Sequence, residues 1–145
     1  MFKHILLPVD GSSTSLTAVE KAKGLAQAFG SAVTLIYVID PYAFSGVGTD
    51  FAYGQAQYLG AASAEAKGAL GAATQSLEAA GIAVHSSIVE SHAIYRGILE
   101  TANSVGADLI VMGSHGRRGL EKLVLGSVAA QVLAHAHLPI LIVRD

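Results

Sequence analysis

Four short, almost uninterrupted apolar runs limit the possible folds of this chain more than any other feature: Ile5 to Val9, Ala32 to Ile39, Asp108 to Met112 and Pro139 to Val143. Runs of this length without polar alternation suit strands buried on both faces. A fifth segment, Ile82 to Val89, sets Ile82, Val84, Ser86 and Ile88 against Ala83, His85, Ser87 and Val89, so one side is more polar, as on an edge strand. Between the runs lie stretches of helical period. Leu16, Val19, Ala22, Ala26 and Phe29 form one stripe, with Ser12 or Ser13 as N-cap and Gly30 as stop. From Ala56 to Ala80 a long Ala-rich helix carries Leu59, Ala62, Ala66, Leu70, Ala73 and Leu77, and Gly81 ends it. Ile94, Ile98, Leu99, Ala102 and Val105 define a third helix stopped by Gly106, and Ser127 to about His135 a fourth. Tyr42 to about Gln55, with Gly46, Gly48 and Gly54, reads as a long loop.

Strands that alternate with helices throughout imply an α/β, three-layer sandwich: a five-stranded parallel sheet, order 3-2-1-4-5, with right-handed crossovers and helices on both faces. The 145 residues contain no linker or internal repeat, so one domain, 1–145, is expected. The hydrophobic fraction of 52% against 14% charged residues favours a core covered on both faces or a self-associating surface. Nine Lys and Arg against eleven Asp and Glu leave no basic field to hold a nucleic-acid backbone. Without cysteine, disulfide and thiol chemistry are excluded. The N-terminal apolar run is too short for a secretory signal and is broken by Pro8 and Asp10, so a cytoplasmic location is expected. Glu65, Lys67, Gln75 and Glu78 interrupt the long helix too often for membrane insertion.

In open parallel sheets, ligands sit beyond the carboxyl ends of the strands, where the strand order reverses. Here that point lies between the first and fourth strands, which places Pro8-Val9-Asp10-Gly11 beside Met112-Gly113. Past the fourth strand come Gly113, Gly116 and Gly119, then Gly126-Ser127 at the start of a helix. Glycines let the main chain approach a ligand closely, and the first N–H groups of a helix lack intrahelical partners, so the stretch is shaped to wrap an anion.

The spacing Gly113-x2-Gly116-x9-Gly126-Ser127 after an apolar strand resembles the ATP-binding signature of the universal stress protein family. Pro8-Val9-Asp10-Gly11-Ser12 is similar to that family's N-terminal motif, and the likeness runs from Lys3 to Val143. The resemblance implies a Rossmann-like fold of the adenine nucleotide alpha hydrolase type. It implies ATP as ligand, with Mg2+ held by the phosphates. Asp10, flanked by Pro8 and Val9, would hydrogen-bond the ribose; Val38 would meet adenine through its backbone; Met112 and Gly113 would line the nucleoside pocket. Gly116, Gly126, Ser127 and Val128 would hold the phosphates through main-chain N–H groups and the Ser127 hydroxyl. Arg117 and Arg118 lie in the insert; their charge suits phosphates, and a solvated loop is the alternative. The resemblance also implies a homodimer paired through the terminal strand Pro139 to Val143, and a regulatory or stress-protective output that leaves room for an unknown protein partner. One departure is Glu90-Ser91-His92, where relatives carry a Gly-x-Pro-like turn.

Other readings stand beside this one. Asp10 could cap the first helix, the glycines could serve turns alone, and Ser127 is an ordinary N-cap candidate. His115, inside the signature, could approach a phosphate or lie at the surface. His135-x-His137 fits dipole partners at a helix end better than a metal pair. An enzyme that slowly hydrolyses ATP or transfers its phosphate would have only His115 and Asp40 as candidate bases. A third possibility is an interaction module that binds no nucleotide. Valine at Gly116 or Gly126 is expected to abolish nucleotide binding and leave the fold intact.

Overall fold

A computed structural model describes residues 1–41, 48–116 and 125–144, with 48–53 in backbone only. The elements are β1 (His4–Pro8), α1 (Ser13–Phe29), β2 (Ala32–Ile39), α2 (Gly48–Ala79), β3 (Val84–Glu90), α3 (Ile94–Val105), β4 (Leu109–Gly113), α4 (Ser127–His135) and β5 (Ile140–Val143). All strand pairs are parallel, in the order β3-β2-β1-β4-β5. This is the expected fold.

The pleat sorts the apolar runs into two cores. Ile5, Leu7 and Val9, Val33, Leu35 and Ile39, and Leu109 and Val111 face α1 and α2, where Ala18, Ala22, Ala66, Leu70 and Leu77 meet them. Leu6, Ile36, Ile110 and Met112 face α3 and α4 and pack on Ile98, Ala102, Ala129 and Val132. The chain crosses on one face while it builds strands outward from β1 to β3, then returns on the other to build β4 and β5. The order therefore reverses between β1 and β4.

Three details differ from the expected elements. Residues 48–55 belong to α2 instead of a loop, while 42–47 of the expected loop lie outside the described residues. Poor intrinsic helix formers are held there by tertiary bonds: the Gln55 amide donates to the Pro41 carbonyl (3.1 Å) and the Tyr58 hydroxyl to that of Asp40 (3.2 Å). On α1, Val19, Ala22 and Ala26 are buried as expected, but Leu16 and Phe29 are 56% and 40% exposed, and Thr14, Ser15 and Ala18 complete the buried side. Small residues let α1 lie close to β1 and β4, and Phe29 instead packs edge-on against Phe2, ring centroids 5.6 Å apart. Ile82 precedes β3; it is buried, and its N–H bonds the Leu77 carbonyl at the end of α2. The caps agree with expectation at Ser12, whose hydroxyl accepts from the Ser15 N–H, and at Gly30 and Gly106, both left-handed.

Asp108 ties the start of β4 to the start of β1. Its carboxylate accepts from the main-chain N–H groups of Lys3 (2.9 Å) and His4 (3.0 Å), and these bonds hold its pKa below the ordinary aspartate value. A depressed folded pKa contributes stability above the unfolded value that is lost as pH falls toward the folded one. Urea midpoints should therefore separate wild type from Asp108→Asn at pH 7 and converge as the pH falls through the lowered folded-state pKa. A gap unchanged by acid would contradict this role.

Candidate functional site

The crevice between β1 and β4 begins with a missing donor. The Val9 N–H bonds the Ile36 carbonyl (2.9 Å) on the β2 side, so the alternation of the strand turns the Pro8 nitrogen toward β4. Proline has no N–H to give, and the register between β1 and β4 ends at Leu6↔Ile110. Beyond that pair the two strands supply a turn each.

The β1 turn is set by Asp10. Its Oδ1 accepts from the Ser12 N–H (2.9 Å), an Asx-type turn completed by Gly11 at φ +81°. The other carboxylate oxygen, Oδ2, lies over Gly116, so close that a Cβ on Gly116 would run into it. Asp10 thus shapes the entry to α1, whose N-cap is Ser12 and not Asp10, and it meets the glycine turn of β4 across the crevice.

The β4 turn is held by its neighbours. The Ser114 N–H bonds the Val143 carbonyl (2.8 Å), which prolongs the β4–β5 ladder, and the Ser114 carbonyl accepts from the Gly126 N–H (2.7 Å). That last bond brings the far end of the insert back to the strand end, beside Gly113 to Gly116. A Cβ on Gly126 would stand 2.9 Å from the His115 Cα and 3.0 Å from the Ser114 oxygen. Gly126 is therefore a glycine because two backbones touch there. On the other side, a Cβ on Gly113 would stand 2.7 Å from Thr14 Cγ2.

α4 starts at this closure. Its N-cap is Gly126, whose carbonyl accepts from the Ala130 N–H (2.9 Å), and Ser127 is its first helical residue. The N-cap expected at Ser127 is thus supplied by Gly126, because only the residue without a Cβ fits against His115. Freed from capping, Ser127 is exposed, while Val128 packs into the α3/α4 core. The unpaired N–H groups and positive dipole end of α4 lie beside the glycine turn, a setting that favours an anion.

The remaining expected residues divide. Pro8, Asp10, Gly113, Gly116, Gly126 and Ser127 gather at the ends of β1, β4 and the start of α4. Val9 and Met112 are core residues, 6% and 5% exposed, on opposite faces of the sheet. Val38, next to last in β2, turns its side chain to α3, where a Cβ on Gly97 would be 3.0 Å from its Cγ1. Arg117, Arg118 and Gly119 lie outside the described residues. The Glu90-Ser91-His92 turn is anchored by the Ser91 N–H to the Ile39 carbonyl (2.9 Å) and by its hydroxyl to the Ala93 carbonyl (2.8 Å). His135 stacks on Tyr95, centroids 5.0 Å apart, in the last turn of α4.

Two residues of the site were missed by sequence reasoning. Thr14 and Ser114 are each 1% exposed, and both present a hydroxyl to the His115 ring. Thr14 carries a faint signal, a polar residue in the first turn of a helix whose apolar stripe passes elsewhere. Ser114 carries none.

Comparison with known proteins shows the family and the fold. The model of the universal stress protein family matches residues 1–144. A universal stress protein of Methanocaldococcus jannaschii is 36% identical over 144 residues, 99% of this chain and 83% of the relative. The structure of the universal stress protein UspA from Lactobacillus plantarum is similar with a TM-score of 0.88 at 26% identity, covering 98% of this chain and 97% of that one. Another similar structure, a universal stress protein in complex with cAMP, has a TM-score of 0.68 at 27% identity, covering 99% and 97%.

Proposed function

The chain belongs to the universal stress protein family, and we propose that it binds ATP in the crevice between β1 and β4, as a regulatory, stress-response protein of the cytoplasm. The observation that carries this reading is the closure of the β4 turn. Gly116 lies under the Asp10 carboxylate and Gly126 against the main chain of His115, and this places the free N–H groups at the start of α4 beside both. Such a cradle suits phosphates, and a carboxylate beside it suits ribose hydroxyls. That a family member was solved in complex with cAMP supports an adenine nucleotide as the class of ligand.

The Asp10 carboxylate, the turn at Gly116 and the start of α4 fit this ligand, and the remaining roles are those the family resemblance implies. Asp10 would meet the ribose, the Val38 backbone adenine, Met112 and Gly113 the nucleoside side, and Gly116, Ser127 and Val128 the phosphates, joined by the charge of Arg117; Gly126, whose N–H is held by the Ser114 carbonyl, would serve by closing the turn beside them. Mg2+ would be held by the phosphates; among the described residues no cluster of three or more His, Cys, Asp or Glu could hold a metal. The chain would act as one domain and as a homodimer. For the latter, β5 supports pairing between copies: it is a sheet edge, and Leu141 is 39% exposed on it. Sedimentation at tens of micromolar protein should return twice the chain mass; a single-chain mass would remove the dimer. Among the described residues no helix is long and apolar enough to cross a membrane.

Freshly purified protein, denatured and analysed by mass spectrometry, tests the ligand. ATP is the expected release. Release of cAMP or AMP alone would keep the site and change the nucleotide.

A further inference from the structure

His115 sits within the glycine turn, yet its ring is turned to the protein. Nε2 lies 3.3 Å from Thr14 Oγ1 on α1, and Nδ1 lies 3.2 Å from Ser114 Oγ at the end of β4. A hydroxyl can donate to one ring nitrogen and accept from the other, so a neutral imidazole satisfies both bonds in either tautomer. Both hydroxyls belong to residues 1% exposed, where an unmade hydrogen bond costs more than at the surface. The main chain at His115 is also the surface on which Gly126 rests, and Gly116, the next residue, meets Asp10.

We propose that His115 is the positioning residue of the phosphate turn: its imidazole is a strut between Thr14 of α1 and Ser114 of β4, and it sets Gly116 at Asp10 and Gly126 against the strand end. His115 then acts on the nucleotide only through the turn. This assigns it none of the roles open from sequence, phosphate contact, idle surface or candidate base. The effect on affinity rests on the nucleotide reading; the strut itself does not.

Two substitutions at Thr14 separate hydroxyl from shape. Thr14→Val keeps the branched outline and removes Oγ1; Thr14→Ser keeps Oγ1 and removes the methyl group. The readout is amide hydrogen exchange at Gly126, whose N–H bonds the Ser114 carbonyl, followed by NMR on the full chain without ligand. His115→Ala and Thr14→Val should each speed that exchange about tenfold, the worth of one net hydrogen bond. Their combination should exchange no faster than either alone, and Thr14→Ser should behave as wild type. ATP affinity should fall in the same order. Unchanged exchange in His115→Ala, additive effects in the double variant, or Thr14→Ser behaving like Thr14→Val would each overturn the strut. If the exchange pattern appears while wild type binds no ATP, the strut stands and the nucleotide reading falls. If wild type binds ATP while exchange at Gly126 does not respond, the strut falls alone.

Discussion

Gly126→Val should lose both nucleotide binding and stability. The atoms facing the new Cβ are main chain, the His115 Cα at 2.9 Å and the Ser114 oxygen at 3.0 Å, with the His115 Cβ at 3.2 Å. Neither backbone atom can step aside, because Ser114 is bonded to Val143 in the β4–β5 ladder. The start of α4 must therefore lift away, breaking the Gly126 N–H bond to Ser114 and carrying the helix end from the crevice. Overpacking of this kind costs about 1–3 kcal/mol, and the lost anion contacts should weaken ATP binding at least about a hundredfold, some 2.7 kcal/mol. From sequence alone the same variant was expected to leave the fold intact; the backbone contact changes that expectation. Gly116→Val is the contrasting probe. Gly116 is exposed, and among the described residues its new Cβ meets the end of the Asp10 side chain. Binding should fall while the urea midpoint stays near wild type. Equal midpoints for all three proteins would contradict the contact at Gly126.

Gly113→Ala should destabilise the protein by about 1–3 kcal/mol, although it adds a single methyl group. That methyl would stand 2.7 Å from Thr14 Cγ2, 3.2 Å from its Cβ and 3.3 Å from its carbonyl carbon. Gly113 is paired to Val143 in β5, and Thr14 is fully buried in the first turn of α1, so the strand and the helix must separate. Separation also shifts the Asp10 to Ser12 turn that precedes α1, so nucleotide affinity should fall with stability. Thr14→Ser removes Cγ2, the nearest atom, and in the double variant it should restore part of the urea midpoint. If Gly113→Ala unfolds at the wild-type midpoint, α1 does not press on the strand end as described.

Much of this was legible in the sequence because the physics is local. A strand buried on both faces is apolar at nearly every position, so Ile5 to Val9, Ala32 to Ile39 and Leu109 to Met112 declared themselves, and the pleat then divided them between two cores. Gly113, Gly116 and Gly126 were legible because close approach leaves room for no other residue; what they approach was not. Gly113 and Gly126 face protein, Thr14 and His115, where the sequence suggested ligand space. The start of α2 was hidden because Gln55 and Tyr58 hold it by bonds to the chain leaving β2, a tertiary effect that overrides propensity. Val19, Ala22 and Ala26 on the buried side of α1 were legible, whereas Leu16 and Phe29 were misplaced because close packing on β4 selected alanines and Thr14 over them. The contact between Thr14 and His115 spans 101 residues and leaves no local pattern.

The most direct test of the account is a calorimetric titration of ATP with Mg2+ into nucleotide-free wild-type protein and Gly116→Val, up to millimolar ligand. Saturable heat in the wild type, absent or much weakened in a Gly116→Val protein that unfolds at the same urea concentration, is the predicted result. No saturable heat from wild type, or equal affinity in both, would contradict a nucleotide site between β1 and β4.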